Sequence, residues 1–152
     1  MSMGFDGINS RGLNIAHYRY HSPFTSILMH LINSALLKFF DWHPVEKYDY
    51  KRVGLNLFVD EDKNENVFPT IIPNWDRSPR AGKRAKIWYN YKPEYFKKQV
   101  KLALNLIKDK PEQHRILFLM AWNEWGEGNY MEPYLEYGHG YINALRDALT
   151  EE

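Results

Sequence analysis

The sequence contains no cysteine. That excludes a disulfide scaffold, a thiolate metal site and a cysteine nucleophile. It also lacks a charge of one sign: 20 Lys and Arg face 19 Asp and Glu, for a net charge of +1. Such a chain has no field with which to draw in nucleic acid or an anionic membrane. The basic clusters at 83–86 and 97–101 read as solvated faces. A metal site is not expected, because His17, His21, His30, His43, His114 and His139 have no ligand spacing. No cofactor is expected either, since there is no P-loop, dinucleotide-binding glycine pattern or nucleophile elbow. The opening residues MSMGFDGINSRG lack the basic-then-apolar layout of a signal peptide, so a cytoplasmic location is expected. Long hydrophobic runs are also scarce. The longest, Ile27 to Phe40, is broken by His30, Asn33, Ser34 and Lys38 and is predicted not to span a bilayer.

Aromatic residues are abundant, at 16% of the 152 residues, with 5 Trp and 11 Tyr. Apolar pyranose faces stack on such rings, and large aromatic cores have the same composition. Gly4 to Ile8 reads as a short strand ending in a turn, with Asp6 at its end either facing the cleft or, as the favoured reading, capping the turn, and 9–22 as a loop. Apolar residues from Ile27 to Phe40 recur every three to four positions and predict an amphipathic helix, ended by Asp41–Pro44. Tyr48-Asp49-Tyr50 opens a short helix, and 60–66 is a polar loop. Residues 67–75 are β-like, although Pro69 and Pro73 limit pairing in a central strand.

The basic stretch 76–91, with Pro79 and Gly82, reads as a long loop. Pro93 starts a helix to about Lys110, with Phe96, Val100, Ala103, Leu104 and Ile107 on one face. Arg115 to Ala121 is a near-continuous apolar run, suited to a strand covered on both sides. A last helix is predicted over about 141–149. Strand and helix alternate, which argues for about three to four parallel βα units. A full (β/α)8 barrel needs eight. The chain is therefore read either as part of a larger barrel or as a smaller open α/β sheet.

The loop after the apolar strand is Trp122-Asn123-Glu124-Trp125-Gly126-Glu127-Gly128. Barrels place their chemistry at the C-terminal ends of strands. Glycoside chemistry needs an acid for the leaving oxygen and a second carboxylate as base, nucleophile or stabiliser of positive charge. Glu124 and Glu127 lie three residues apart in a glycine-containing loop and can be aimed into one cleft. Trp122 and Trp125 flank them and can stack on sugar or lower the local dielectric, which would raise a carboxyl pKa. The same Glu-x-x-Glu spacing is common on solvated helix surfaces.

The run WNEWGEGNYMEPYLEYGHGYINAL closely resembles the signature of WbsX-type, glycoside hydrolase family 99-like domains. GFDGI near the start and PNWDRSPR at 73–80 are similar to two further segments of that family. The resemblance runs over about residues 4–149. It implies the C-terminal part of a (β/α)8 TIM-type barrel, one partial domain over 1–152, and a need for the missing N-terminal half of the barrel for full activity. It implies processing of bacterial surface oligo- or polysaccharide, as in O-antigen or lipopolysaccharide biosynthesis. In the related endomannosidases a Glu-Trp-His-Glu motif carries both catalytic carboxylates. By motif match these fall on Glu124 as base toward the sugar 2-hydroxyl and Glu127 as acid, with retention through a 1,2-anhydro sugar. Gly126 stands where those hydrolases have His.

The resemblance also marks Trp75, Asp76 and Arg80 as a Trp-Asp-x-x-Pro-Arg segment, with Arg77 where the family often has Asn. These residues are candidates for binding sugar hydroxyls or a substrate phosphate, and an Asp76–Arg80 ion pair shaping the loop is the alternative. Asn123 is a candidate to orient Glu124 or to form a turn, and Glu132 to bind sugar or hold the loop through backbone amides. Three functional readings stand: a hydrolase-like enzyme with the paired glutamates, a glycosyltransferase-type protein, and a non-catalytic carbohydrate-binding unit.

Overall fold

The computed structural model describes residues 6–10, 12–42 and 44–151. Its elements are β1 (Ile8–Ser10), α1 (Leu13–Tyr20), α2 (Pro23–Phe40), β2 (Glu46–Asp49), α3 (Tyr50–Val53), β3 (Val67–Ile71), α4 (Ser78–Ala81), β4 (Lys86–Tyr89), α5 (Pro93–Ile107), β5 (Phe118–Leu119), β6 (Asn123–Glu124), β7 (Asn129–Tyr130) and α6 (Gly140–Thr150). The main sheet has the order β1-β3-β5, all parallel, and helices separate its strands in sequence. The mixed α/β alternation expected from the sequence is therefore present. A second parallel pair, β2 and β4, flanks it.

β3 is the central strand despite Pro69. Val67 to Pro69 pair with β1, whereas Thr70 and Ile71 pair with β5. The residue without an amide thus sits where pairing passes from one neighbour to the other, which is how a proline is accommodated here. Its far end is locked by Gln99 of α5. The Gln99 side chain accepts from Ile72 N at 2.7 Å and donates to Gly54 O at 2.9 Å and Tyr50 Oη at 3.1 Å. Tyr50 Oη donates in turn to Ile72 O at 2.7 Å. A buried amide satisfied on both sides fixes the strand end more firmly than packing alone.

Two apolar clusters meet at β3. Tyr48, Tyr50, Val53, Leu57, Ile72, Trp75 and Trp88 form one, and Ile71, Phe96, Val100, Ala103, Met131 and Tyr141 form the other. α5 supplies the predicted face of the second cluster, and α6 packs against it.

Several expectations are corrected. Residues 13–20 form a helix, where aromatic side chains (Tyr20 against Tyr48) substitute for a regular apolar stripe. The loop expected over 76–91 holds α4 and strand β4, because β2, itself unexpected, offers a parallel partner. The apolar run 115–121 yields only a two-residue strand with Ile116 and Phe118 exposed, since β5 has a neighbour on one side alone. Gly4 and Phe5 of the expected first strand, and His43, lie outside the described residues. Asp6 is exposed and precedes the N-terminal end of β1, so it lies away from the strand ends that carry the site.

α2 is a helix as predicted, with Ser22 capping its first turn and Asp41 in the left-handed region closing it. Its apolar residues are not covered: Phe24 is 75%, Ile27 62% and Leu31 61% exposed. At 18 residues and mean hydropathy 1.2 it is long and apolar enough, by length and composition, to cross a bilayer. The turn from Pro23 to Ser26, which precedes the apolar run Ile27 to Phe40, brings the helix to that length, and His30, Asn33, Ser34 and Lys38 still interrupt it.

Candidate functional site

β3 and β5 run parallel and adjacent, so the segments that follow their C-terminal ends emerge side by side. The first is Pro73 to Arg80 and the second is Trp122 to Gly128. The second folds as a tight hairpin. β6 pairs antiparallel with β7, matching Asn123 to Tyr130 and Glu124 to Asn129. One helical turn, Trp125–Glu127, carries the chain between them.

Gly128 closes that turn at φ +54°, where a side chain is strained. A Cβ there would lie 2.7 Å from both N and Cβ of Asp76. The glycine lets the hairpin press on the first segment, and Asp76 N donates to Glu127 O at 2.9 Å across the contact. Two buried asparagines complete the clamp. Asn74 Oδ1 accepts from Tyr130 N at 2.9 Å, and Asn129 Nδ2 donates to Asn74 O at 2.6 Å.

The clamp brings both glutamates onto one guanidinium. Arg80 Nη1 donates to Glu127 Oε1 at 2.9 Å, and Arg80 Nη2 to Glu124 Oε1 at 3.3 Å. Arg77 Nε lies 3.4 Å from the same Glu127 oxygen. The Glu127 side chain is 18% exposed and that of Glu124 41%, so both carboxylates reach solvent from a wall of the site. Gly126 makes room for this bridge: a Cβ built on it would stand 3.0 Å from Glu124 Oε1 and 3.7 Å from Arg80 Nη2.

The remaining candidates divide by placement. Trp122 and Trp125 are about half exposed beside the glutamates. Tyr130 stacks on Trp125 at 3.8 Å, and Trp125 Nε1 donates to Glu132 Oε2 at 2.8 Å. Glu132 therefore holds the loop through an indole and not through backbone amides. Asn123 is exposed, and its side chain makes no hydrogen bond among the described residues. Trp75 is only 7% exposed and packs beside Trp88 in the core, so it supports the loop from beneath. Asp76 accepts from Ser78 N at 2.8 Å and starts α4. The alternative of an Asp76–Arg80 pair is not formed, since Arg80 pairs with the glutamates instead.

Sequence reasoning passed over Asn74 and Asn129. The available signal was an amide beside Trp75 and another after Gly128, each in a segment otherwise rich in aromatics. Among the described residues no group of three or more His, Asp or Glu is placed to hold a metal ion.

Residues 3–145 match the family model described as glycosyltransferase WbsX. The chain belongs to the WbsX family. All three segments that carried the resemblance lie within this WbsX match. The domain is also similar to the uncharacterized protein WxcX of Xanthomonas campestris pv. campestris. In strain B100 the identity is 27% over 104 residues, covering 68% of this chain and 15% of that protein. In a second strain of that organism it is 30% over 103 residues, covering 67% and 15%. The matched WbsX segment thus spans about 15% of the length of these relatives. No solved structure matches the chain at a significant level.

Proposed function

We propose that this WbsX domain carries the carboxylate corner of a glycosyl-transfer site for bacterial surface polysaccharide, with Glu124 and Glu127 as its chemical groups. The single observation that supports this reading most is the bridging of both carboxylates by Arg80 at the ends of two adjacent parallel strands.

Glycosyl transfer breaks the bond from the anomeric carbon to its leaving oxygen and forms one to an acceptor oxygen. Positive charge develops at the sugar in between, and a carboxylate stabilises it. The acceptor hydroxyl passes its proton to a base, and Glu124 takes that role here. Glu127 faces the leaving side, beside the two arginines. An arginine fork suits a phosphate leaving group, which would draw Arg80 away from the glutamates as it binds. Trp122 and Trp125 supply apolar faces for the sugar.

Hydrolysis is the second reading, with water as the acceptor at the same corner, and the carboxylate pair favours it equally. The arginines and the family description favour transfer. The chain fits the last βα units of a (β/α)8 barrel in this reading. The parallel order β1-β3-β5 and the exposed edge at β5 support that placement.

The test is turnover of the protein and its Glu124→Gln and Glu127→Gln variants, with nucleotide sugars plus polysaccharide and with polysaccharide alone. Either substitution is expected to lower turnover by about 100-fold or more. Dependence on the nucleotide sugar identifies transfer, and turnover without it identifies hydrolysis. Unchanged rates in both variants would overturn the assignment.

A further inference from the structure

α2 leaves most of its large apolar residues exposed. Its outward residues are Phe24, Ile27, Leu31 and Phe39, all exposed. The α2 residues that line its inner side are Ser26, Met29, His30, Asn33, Ser34 and Leu37, of which Asn33 is buried, Ser26 and Leu37 are half-buried and the others exposed. Asn33 is the buried residue of this helix. A helix mainly of Ile, Leu and Phe gains about 1.5–3 kcal/mol for each such side chain it buries. α2 buries few of these, and its inner side borders an open space.

That side is a cavity of about 540 Å³ between α1, α2 and the starts of β2 and β4. The size falls within the range of small-ligand clefts. Its walls carry polar groups among apolar ones, Met29 and Leu37 of α2 included. His17 Nε2 accepts from Trp88 Nε1 at 2.7 Å, so the neutral ring carries its proton on Nδ1. The Tyr48 ring lies 4.4 Å from the His17 ring, and Tyr48 Oη donates to Glu46 at 2.6 Å. Lys86 lies 3.6 Å from Glu46. Arg84 lines the cavity as well and makes no ion pair among the described residues; nearby Asp41 is held by Lys83 at 2.9 Å. Two cations, Arg84 and Lys86, thus face one carboxylate, Glu46. The polar part of the lining is the imidazoles of His17, His21 and His30, amides and hydroxyls, with one cation unmatched.

We propose that this cavity is a second binding site, for a small polyhydroxylated anion: a sugar bearing one carboxylate or one phosphate. Amides, hydroxyls and imidazole meet the sugar hydroxyls, and Arg84 meets the anion. The site is separate from the Glu124–Arg80–Glu127 corner. The choice of a sugar among polyhydroxylated anions rests on the saccharide reading of the family.

Chemical-shift titrations of the protein with glucuronate, glucose 1-phosphate, glucose and inorganic phosphate test it. One of the two anionic sugars is expected to shift amides of α1, α2 and β2, and to bind at least about tenfold tighter than glucose. Which of the two binds identifies the anion. Arg84→Ala is expected to remove that tenfold preference and to leave the fold intact, because Arg84 is exposed. Asn33→Leu should abolish binding of all sugars, and Glu124→Gln should leave it unchanged. Equal binding of glucose and the anionic sugars, binding of phosphate as tight as the sugar phosphate, or no effect of Arg84→Ala would each overturn the proposal. So would the absence of shifts with every probe. Loss of binding on Glu124→Gln would place the sugar at the other site.

Discussion

α2 and α5 have similar signatures in sequence and opposite positions in the fold. In both, apolar residues recur every three to four positions. α5 lays Phe96, Val100, Ala103 and Ile107 into the core beside β3 and packs on α6. α2 turns Ser26, Asn33 and Leu37 toward the body and leaves most of its large apolar residues, Phe24, Ile27, Leu31 and Phe39 among them, outside. The difference lies in what flanks them. α5 lies in sequence between β4 of the flanking pair and β5 of the main sheet, and is held against β3. α2 is packed mainly on α1 and borders a cavity of mixed polar and apolar lining. Periodicity thus specifies a helix and its stripe, while the neighbouring elements decide which stripe is inside.

The largest expected effect tests that contrast directly. Phe96→Ala removes a fully buried ring and is expected to cost about 3–5 kcal/mol. Leu31→Ala on the outer stripe of α2 is expected to change stability by less than about 0.5 kcal/mol. Urea unfolding of both variants measures it. A cost above about 2 kcal/mol for Leu31→Ala would mean that the outer face of α2 is covered in solution.

The next effect sharpens the comparison from the inner side. Burial, and secondly the charge of Lys86, push the His17 pKa down from 6.5 to about 4. The unfolded chain therefore binds a proton between those values that the folded chain refuses. The stability this histidine permits is complete above about pH 6.5 and falls as the pH drops toward 4, by about 3 kcal/mol in all. Urea unfolding at pH 7.5 and pH 4.5 is expected to show a smaller drop for His17→Gln than for the parent chain. An identical drop in both would mean that His17 is not buried as a neutral ring.

What could be read in the sequence follows the same division. The helix at α5, the parallel alternation and the loop of Glu124 and Glu127 were legible because each is a local pattern. β2 and β4 were not, since each strand is only four residues long and exists through the other. The core placement of Trp75 was hidden because the same ring chemistry serves stacking and packing. Arg80 was legible as a candidate but its partners were not, because Glu124 and Glu127 lie more than 40 residues away and meet it only where two strand ends converge.

The smallest effect on stability is expected at Gly126, where the consequence for the site is largest. Its φ is outside the positive region, unlike that of Gly128, so alanine is acceptable to the backbone. The added Cβ would meet Glu124 Oε1 at 3.0 Å, the free end of a side chain that can move aside. Gly126→Ala is therefore expected to change unfolding free energy by less than about 1 kcal/mol. It displaces Glu124 from Arg80 and leaves Glu127 in place. If Glu124 must be held at that position, turnover falls about tenfold or more at unchanged stability. Gly128→Ala is the contrasting control, because there the clash is with the Asp76 backbone and the fold itself loses about 1–3 kcal/mol. A histidine at 126, as in the related hydrolases, meets the same oxygen through its own Cβ. The glycine and the double bridge of Arg80 therefore belong together, and a Gly126→His variant that kept full turnover would separate them.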